Sequence, residues 1–217
     1  MKTANYFNKF GNVGSVWIMG LSSSGKTTLA QLLEKKLWEN GYPSLLVDGD
    51  QIRHIFQERL GYDTESRKKQ TRRVLRIVQW ISSNGIIPVT AMIHPFEDDR
   101  IMCRKVLNNY FEVFLKCNLD VCIKRDTKGV YKPTLEGKAK NVVGLDIPYE
   151  KPQHPEIVLE SDKFSPEQLL EKLWDNFNKN ILLKLKDQKG SDKSYTALKK
   201  DIPILGLDQL GKDVCVE

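Results

Sequence analysis

Val16-Trp17-Ile18-Met19-Gly20-Leu21-Ser22-Ser23-Ser24-Gly25-Lys26-Thr27-Thr28 passes from an apolar strand through a glycine-bounded loop into the start of a helix. Gly20 to Thr27 fit the pattern G-x-x-x-x-G-K-[ST], a phosphate-binding loop. The spacing has a chemical reason. Gly20 and Gly25 let the backbone curl so that successive N–H groups, with the hydroxyls of Ser22, Ser23, Ser24 and Thr28 nearby, surround anionic oxygens. The helix starting near Lys26 aims its positive end at the same point. Lys26 adds a full charge near the β- and γ-phosphates, and the Thr27 hydroxyl is a ligand for Mg²⁺. An apolar strand before the motif and an amphipathic helix after it are the context that separates a true phosphate loop from a chance Ser/Gly-rich turn.

Outward from this loop the chain reads as an α/β domain. Lys26 to Asn40 places Leu29, Leu32, Leu33 and Leu37 at helical spacing, and Gly41 stops the helix. Ser44 to Val47 follows as a strand without alternation, which suits a parallel sheet covered on both faces. Further strands are expected at Ile86–Ala91, Tyr110–Leu115 and Glu156–Leu159. Helices are expected over Gln51–Leu60, Glu65–Asn84, Glu97–Asn109, Asn118–Lys124 and Ser165 to about Lys186, the last opened by a capping box of Ser165 and Gln168. The fold class is thus a three-layer α/β sandwich with a parallel sheet of about five strands. Arg125 to Glu150 has little periodicity and is long for a loop, so it reads as a functional lid. Residues 1–186 form the domain. Met1–Gly14 reads as a short arm and 187–217 as a polar extension, partly ordered at best.

Asp48-Gly49-Asp50 sits at the carboxyl end of the second strand. Ligands of open α/β sheets collect outside the carboxyl ends of strands. Two carboxylates therefore face the phosphates.

Bulk properties narrow the function. The chain has 217 residues, 40% hydrophobic, with net charge +6. A basic chain without a DNA- or RNA-binding motif suits an enzyme for polyanionic nucleotides better than a nucleic-acid binder. Cys103, Cys117, Cys122 and Cys215 form neither C-x-x-C nor a zinc pattern. With no apolar leader and no apolar run of membrane-spanning length, a cytoplasmic protein with no membrane partner is expected.

Several motifs in order carry a family resemblance from about Ser15 to Phe177. They are Gly20–Thr28, Asp48-Gly49-Asp50-Gln51-Ile52-Arg53, Leu60-Gly61-Tyr62, Asp98-Asp99-Arg100, Arg125-Asp126-Thr127-Lys128-Gly129-Val130-Tyr131 and Gly144-Leu145-Asp146-Ile147-Pro148-Tyr149-Glu150. The chain resembles the adenylylsulfate (APS) kinases. These P-loop enzymes move the γ-phosphoryl of ATP to the 3′-hydroxyl of adenosine 5′-phosphosulfate. The resemblance implies ATP and Mg²⁺ as cofactors, a small nucleotide acceptor and, since members are often dimers, a homodimer. It implies phosphate and metal binding by Lys26, Thr27 and Asp48, with Arg125 on the ATP side. Asp50 would accept or orient the 3′-hydroxyl proton. Arg53 and Arg67 would hold the acceptor's anionic groups. Lys128, with Lys138 as a second candidate, would close over the transferring group, and Ile93 would line the acceptor site.

Departures from the family pattern all fall at acceptor positions. Tyr62 replaces a Phe and can still stack. Gln70 replaces an Asn. His94 replaces a Ser before Pro95, and a side chain with an ordinary pKa near neutrality there is a candidate acceptor contact or base. Val142 replaces a Phe that walls the adenine, and a base–aromatic stack is worth roughly 1–3 kcal/mol. These departures admit another nucleotide acceptor, such as cytidine diphosphoramidate. They also keep open a non-catalytic nucleotide-binding protein, against which the intact Asp48, Asp50 and Lys128 argue.

Overall fold

A computed structural model describes residues 13–183 and 185. The Met1–Gly14 arm, up to residue 12, and the 187–217 extension lie outside the described residues. Five parallel strands, β1 (Ser15–Met19), β2 (Ser44–Asp48), β3 (Ile87–Met92), β4 (Tyr110–Lys116) and β5 (Ile157–Glu160), form one sheet in the order β2-β3-β1-β4-β5. The strand that feeds the glycine loop is therefore central. All strands run the same way, so the loops after β1, β2, β3 and β4 emerge at one edge.

The pleat of β1 divides the core. Val16 and Ile18 point to one face, where Leu29, Leu33 and Leu37 of α1 (Lys26–Glu39) and Leu169, Leu173 and Phe177 of α7 (Pro166–Phe177) cover them. Trp17 points to the other, against Ile52 of α2 (Gly49–Ile55), Val74, Val78 and Ile81 of α3 (Thr64–Ser83) and Cys103 of α4 (Glu97–Val106). Helices α5 (Leu119–Arg125) and α6 (Tyr131–Leu135) complete the domain.

Some expected boundaries move for identifiable reasons. The helix expected over Gln51–Leu60 ends at Ile55. Phe56 turns extended and packs onto the α3 face of the core, with the Arg73 guanidinium 4.5 Å from its ring centre. Arg73 also donates to the Glu58 carbonyl at 2.9 Å, so the segment after Ile55 is tied to α3 rather than to its own helix. The helix expected to reach about Lys186 ends at Phe177 and passes into a π-helical turn, Asn178–Leu182, that keeps Ile181 and Leu182 in the core. The segment expected to be loop from Arg125 to Glu150 contains α6 and is organised by Asp126. Its carboxylate accepts from the backbone N–H groups of Val130, Tyr131 and Lys132 at 2.8–3.2 Å.

Gly20 has φ +151°, and a Cβ there would lie 2.4 Å from the Leu115 carbonyl oxygen of β4. Gly25 also has positive φ, +94°, but a Cβ there would meet nothing within 4 Å. Gly25→Ala is therefore expected to cost about 1–2 kcal/mol, the left-handed penalty of an L-residue. Gly20→Ala must additionally push β1 and β4 apart and should cost clearly more. Urea denaturation of the two variants checks this; equal losses would contradict the steric argument.

Candidate active site

Among the described residues, a cavity lies on each side of the glycine loop at the sheet edge. The larger, about 330 Å³, is lined by Ser22, Lys26 and Thr27 from the loop, Asp48 and Asp50, then Arg53, Tyr62, Arg67, Gln70, Ile93, His94, Lys128 and Val142. The smaller, about 170 Å³, is lined by Ser24, Gly25 and Thr28 together with Arg125, Ser161 and Phe164. Residues from distant parts of the sequence thus converge on one phosphate-binding turn.

Helix α1 begins without a side-chain cap and without an acidic residue in its first turn. By contrast α2, α3, α5 and α7 are capped by Asp48, Asp63, Asn118 and Ser165. The N–H groups and positive end of α1 are thereby left available to an anion. Ser23, at φ 59°, bonds with Thr127 of the lid segment at 3.2 Å. The Lys26 ammonium donates to the Leu21 carbonyl at 2.5 Å. Burial, and then the charge of Lys128, lower its pKa to about 8, against the pull of Asp50 and Asp48.

Thr27 donates its hydroxyl to Asp48 Oδ2 at 2.8 Å, while Asp48 Oδ1 accepts from the Asp50 N–H at 2.8 Å. Asp48 is thus held by its own helix turn with one oxygen turned to the loop. These hard oxygens fit Mg²⁺, which takes one or two protein oxygens plus phosphate and water. No cluster of three or more His, Cys, Asp or Glu able to hold a metal occurs among the described residues, so an ion here would rely on phosphate for much of its shell.

Lys128 and Asp50 form an ion pair. Burial pushes the Asp50 carboxyl up, but the hydrogen bond and charge of Lys128, with Lys26 and Arg53, outweigh it and keep the group ionised. Lys128 is raised in turn by Asp50 despite its partial burial.

The two candidate anion-binding arginines are also engaged with backbone. Arg53 donates to the Leu60 and Gly61 carbonyls at 3.2 and 2.9 Å and lies 4.7 Å over the Tyr62 ring. Arg67 donates to the Tyr62 carbonyl at 2.7 Å and to Asn141 at 2.8 Å. Arg67 therefore clips the Tyr62 loop to the lid. Asn141, at φ 69°, and Val142 are set by Asp146, whose carboxylate accepts both of their N–H groups at 2.5 Å. Sequence reasoning did not single out Asp146 for this turn; its position after Gly144 in the lid was the available signal.

Other sequence-based placements change. Lys138 does not line the cavity; its ammonium pairs with Glu136 at 2.8 Å, and Lys140 lines the cavity instead. Arg125 lines the smaller cavity and donates to the Ser161 carbonyl at 3.0 Å. His94 lines the larger cavity, but not as a group that titrates near neutrality. It is wholly buried, lies 4.9 Å from the Trp17 ring, and burial with the nearby charge of Arg100 lowers its pKa to about 3. Its backbone sits at φ 51°, a strained value for a non-glycine residue that marks a constrained site.

The depressed His94 pKa has a sign. Unfolded, the imidazole takes a proton below about pH 6.5, whereas the folded protein refuses it until about pH 3. Folding stability should therefore fall as pH drops through that window, by up to about 1.4 kcal/mol per pH unit from this group. Denaturation midpoints of the wild type and His94→Gln between pH 4 and 7 test this. The variant is expected to show the shallower slope, and parallel slopes would refute it.

Comparison with known proteins bears on the family and the fold. A profile of the family described as adenylylsulphate kinase matches residues 13–160. The adenylyl-sulfate kinase of Clostridium acetobutylicum is 42% identical over 169 residues, 77% of this chain and 84% of that protein. That of Bacillus velezensis is 40% identical over 169 residues, 77% and 85% of the two chains. The structure of the Mycobacterium tuberculosis APS kinase in complex with AMPPNP and APS superposes with a TM-score of 0.73 at 31% identity. It covers 77% of this chain and 98% of that one. On the match of fold, phosphate loop and most of its length, the chain belongs to the adenylylsulphate kinase family.

Proposed function

We propose that the protein transfers the γ-phosphoryl group of ATP to the ribose 3′-hydroxyl of adenosine 5′-phosphosulfate. The observation that carries this reading is the convergence on one cavity of the phosphate-loop Lys26, the Asp50–Lys128 pair and Tyr62. A protein that only bound ATP would have no use for the acceptor-side groups. The smaller cavity beside Arg125 and Phe164 suits the nucleoside of ATP, so that its phosphates cross the loop toward Lys26 and Thr27.

In the reaction the acceptor's 3′-oxygen bonds to the γ-phosphorus as the bond from that phosphorus to the β–γ bridging oxygen breaks. ADP leaves, and the hydroxyl proton departs toward Asp50. Such a transition state is loose and needs positioning and charge neutralisation more than a strong base. Asp50 fits that demand. Held ionised by Lys128, it is a weak base but a well-placed acceptor that orients the hydroxyl. Lys26 and Lys128 neutralise charge on the transferring group. Mg²⁺, held by Thr27 and Asp48, would supply further neutralisation of the β- and γ-phosphates.

A second acceptor, a pyrimidine nucleotide such as cytidine diphosphoramidate, is supported by one feature. The lid contributes the aliphatic Val142 to the base end of the cavity, which leaves Tyr62 as its stacking ring. Measuring ADP release with APS beside cytidine and uridine diphosphate derivatives decides between them. Turnover with APS supports the first reading; turnover confined to a pyrimidine nucleotide replaces it.

Two further outcomes are expected. Asp50→Asn should lower kcat by about 10²–10⁴, the range for a positioned proton acceptor, with the KM for ATP little changed. A large rise in the ATP KM with kcat intact would assign Asp50 to ATP binding instead. Because the free enzyme's Lys26 titrates at about 8 and phosphate needs its charged form, ATP affinity should weaken above that pH, approaching tenfold per unit. Calorimetric titration of ATP at pH 7, 8, 9 and 10 checks this, and a flat profile would rule it out.

A further inference from the structure

Three successive residues of the phosphate loop are tied to the lid segment. Leu21 packs its side chain against Val143 and Ile147 in the later part of the lid. The Ser22 carbonyl accepts the Tyr131 hydroxyl at 3.1 Å. The Ser23 hydroxyl oxygen accepts the Thr127 N–H at 3.2 Å. Tyr131 is wholly buried at the first position of α6, where the Asp126 carboxylate accepts its N–H at 3.2 Å. Burial pushes the Tyr131 pKa up, so the hydroxyl keeps the proton it donates.

These contacts fall on a constrained turn. Ser23 is not a glycine, yet it sits at φ 59°, in left-handed backbone. Such a conformation persists only where the surroundings over-determine it. It is also what an anion-binding loop uses, because right- and left-handed residues in succession turn their N–H groups to one side. A trans peptide points its C=O and the following N–H in opposite directions. The Tyr131 hydroxyl holds the Ser22 carbonyl toward the start of the lid, so the Ser23 N–H of the same peptide is held pointing away from it. No acceptor among the described residues takes that N–H.

We infer that Tyr131 is a positioning residue for the phosphates of ATP: through the Ser22–Ser23 peptide, its hydroxyl aims the Ser23 N–H at a phosphate oxygen. The start of the lid is then a working part of the phosphate site, although Tyr131 itself lines neither cavity. The inference rests on the reading of the loop as the holder of ATP and is independent of which nucleotide is the acceptor.

The test is calorimetric binding of AMPPNP with Mg²⁺, without acceptor, to wild type, Tyr131→Phe and Thr134→Ala. Phenylalanine keeps the ring and removes only the hydroxyl. Thr134 donates to the Val130 carbonyl at 3.0 Å, a bond wholly inside the lid, so its loss loosens α6 without touching the loop. Tyr131→Phe should weaken AMPPNP binding by roughly two- to tenfold, the net worth of one hydrogen bond, while Thr134→Ala leaves it unchanged. Amide NMR supplies a readout that a merely structural role would not move. The Ser23 amide proton should shift downfield when wild type takes up AMPPNP, as a hydrogen bond to phosphate forms, and should shift much less in Tyr131→Phe. Wild-type affinity in Tyr131→Phe overturns the inference. So does weakened binding with the Ser23 shift intact, or an equal loss in Thr134→Ala, since either makes Tyr131 a packing residue of the lid. A wild type that does not bind AMPPNP at all sinks the kinase reading itself, an outcome distinct from a wild type that binds and a Tyr131→Phe protein that binds as well.

Discussion

At the exit of β1 the backbone of Gly20 runs so close to the Leu115 carbonyl that no side chain can stand between them. The same residue's N–H reaches the Ile93 carbonyl at 3.4 Å, at the exit of β3. The phosphate loop is thereby pinned between the ends of its two neighbouring strands before any ligand arrives. Preorganisation of this kind removes the ordering cost from the binding step. It also explains why a central strand carries the loop: an edge strand could offer such an anchor on one side only.

From that fixed turn the site spreads through short backbone and side-chain connections. Asp48 ends β2 with one oxygen toward Thr27 and the other capping α2. Arg67, near the start of α3, binds the Tyr62 loop behind it and Asn141 of the lid across the cavity. Arg100, buried in α4, gathers the His94 and Glu150 carbonyls at 2.8 and 2.7 Å and so holds the loop after β3 against the far end of the lid. Each guanidinium joins segments distant in sequence through planar, multiply donating contacts that a lysine would not reproduce.

Much of the scaffold was legible from local rules. The strands were apolar runs, the phosphate loop had its glycines and lysine in register, and Ser165 with Gln168 marked the start of α7, where the structure shows the full capping box. What escaped was decided by contacts across the fold. Nothing near Phe56 said that Arg73 would draw it out of helix. Lys138 and Lys140 are chemically alike, and only the path of the lid sends one to Glu136 and the other to the cavity. His94 reads as a neutral-pH group in isolation, and burial beside Trp17 and Arg100 changes it. Sequence supplied residue types; solvation and partner choice came from tertiary structure.

The two cavities share the phosphate loop as a common wall, with Ser24, Gly25 and Thr28 on one side and Ser22, Lys26 and Thr27 on the other. A single molecule carrying two nucleosides joined through a polyphosphate tether could occupy both at once. Its second half would then bind at the high effective concentration set by the tether rather than by solution. An inhibitor of this shape would draw selectivity from the distance between the cavities as well as from their chemistry, because a kinase with only one of them would see half the ligand.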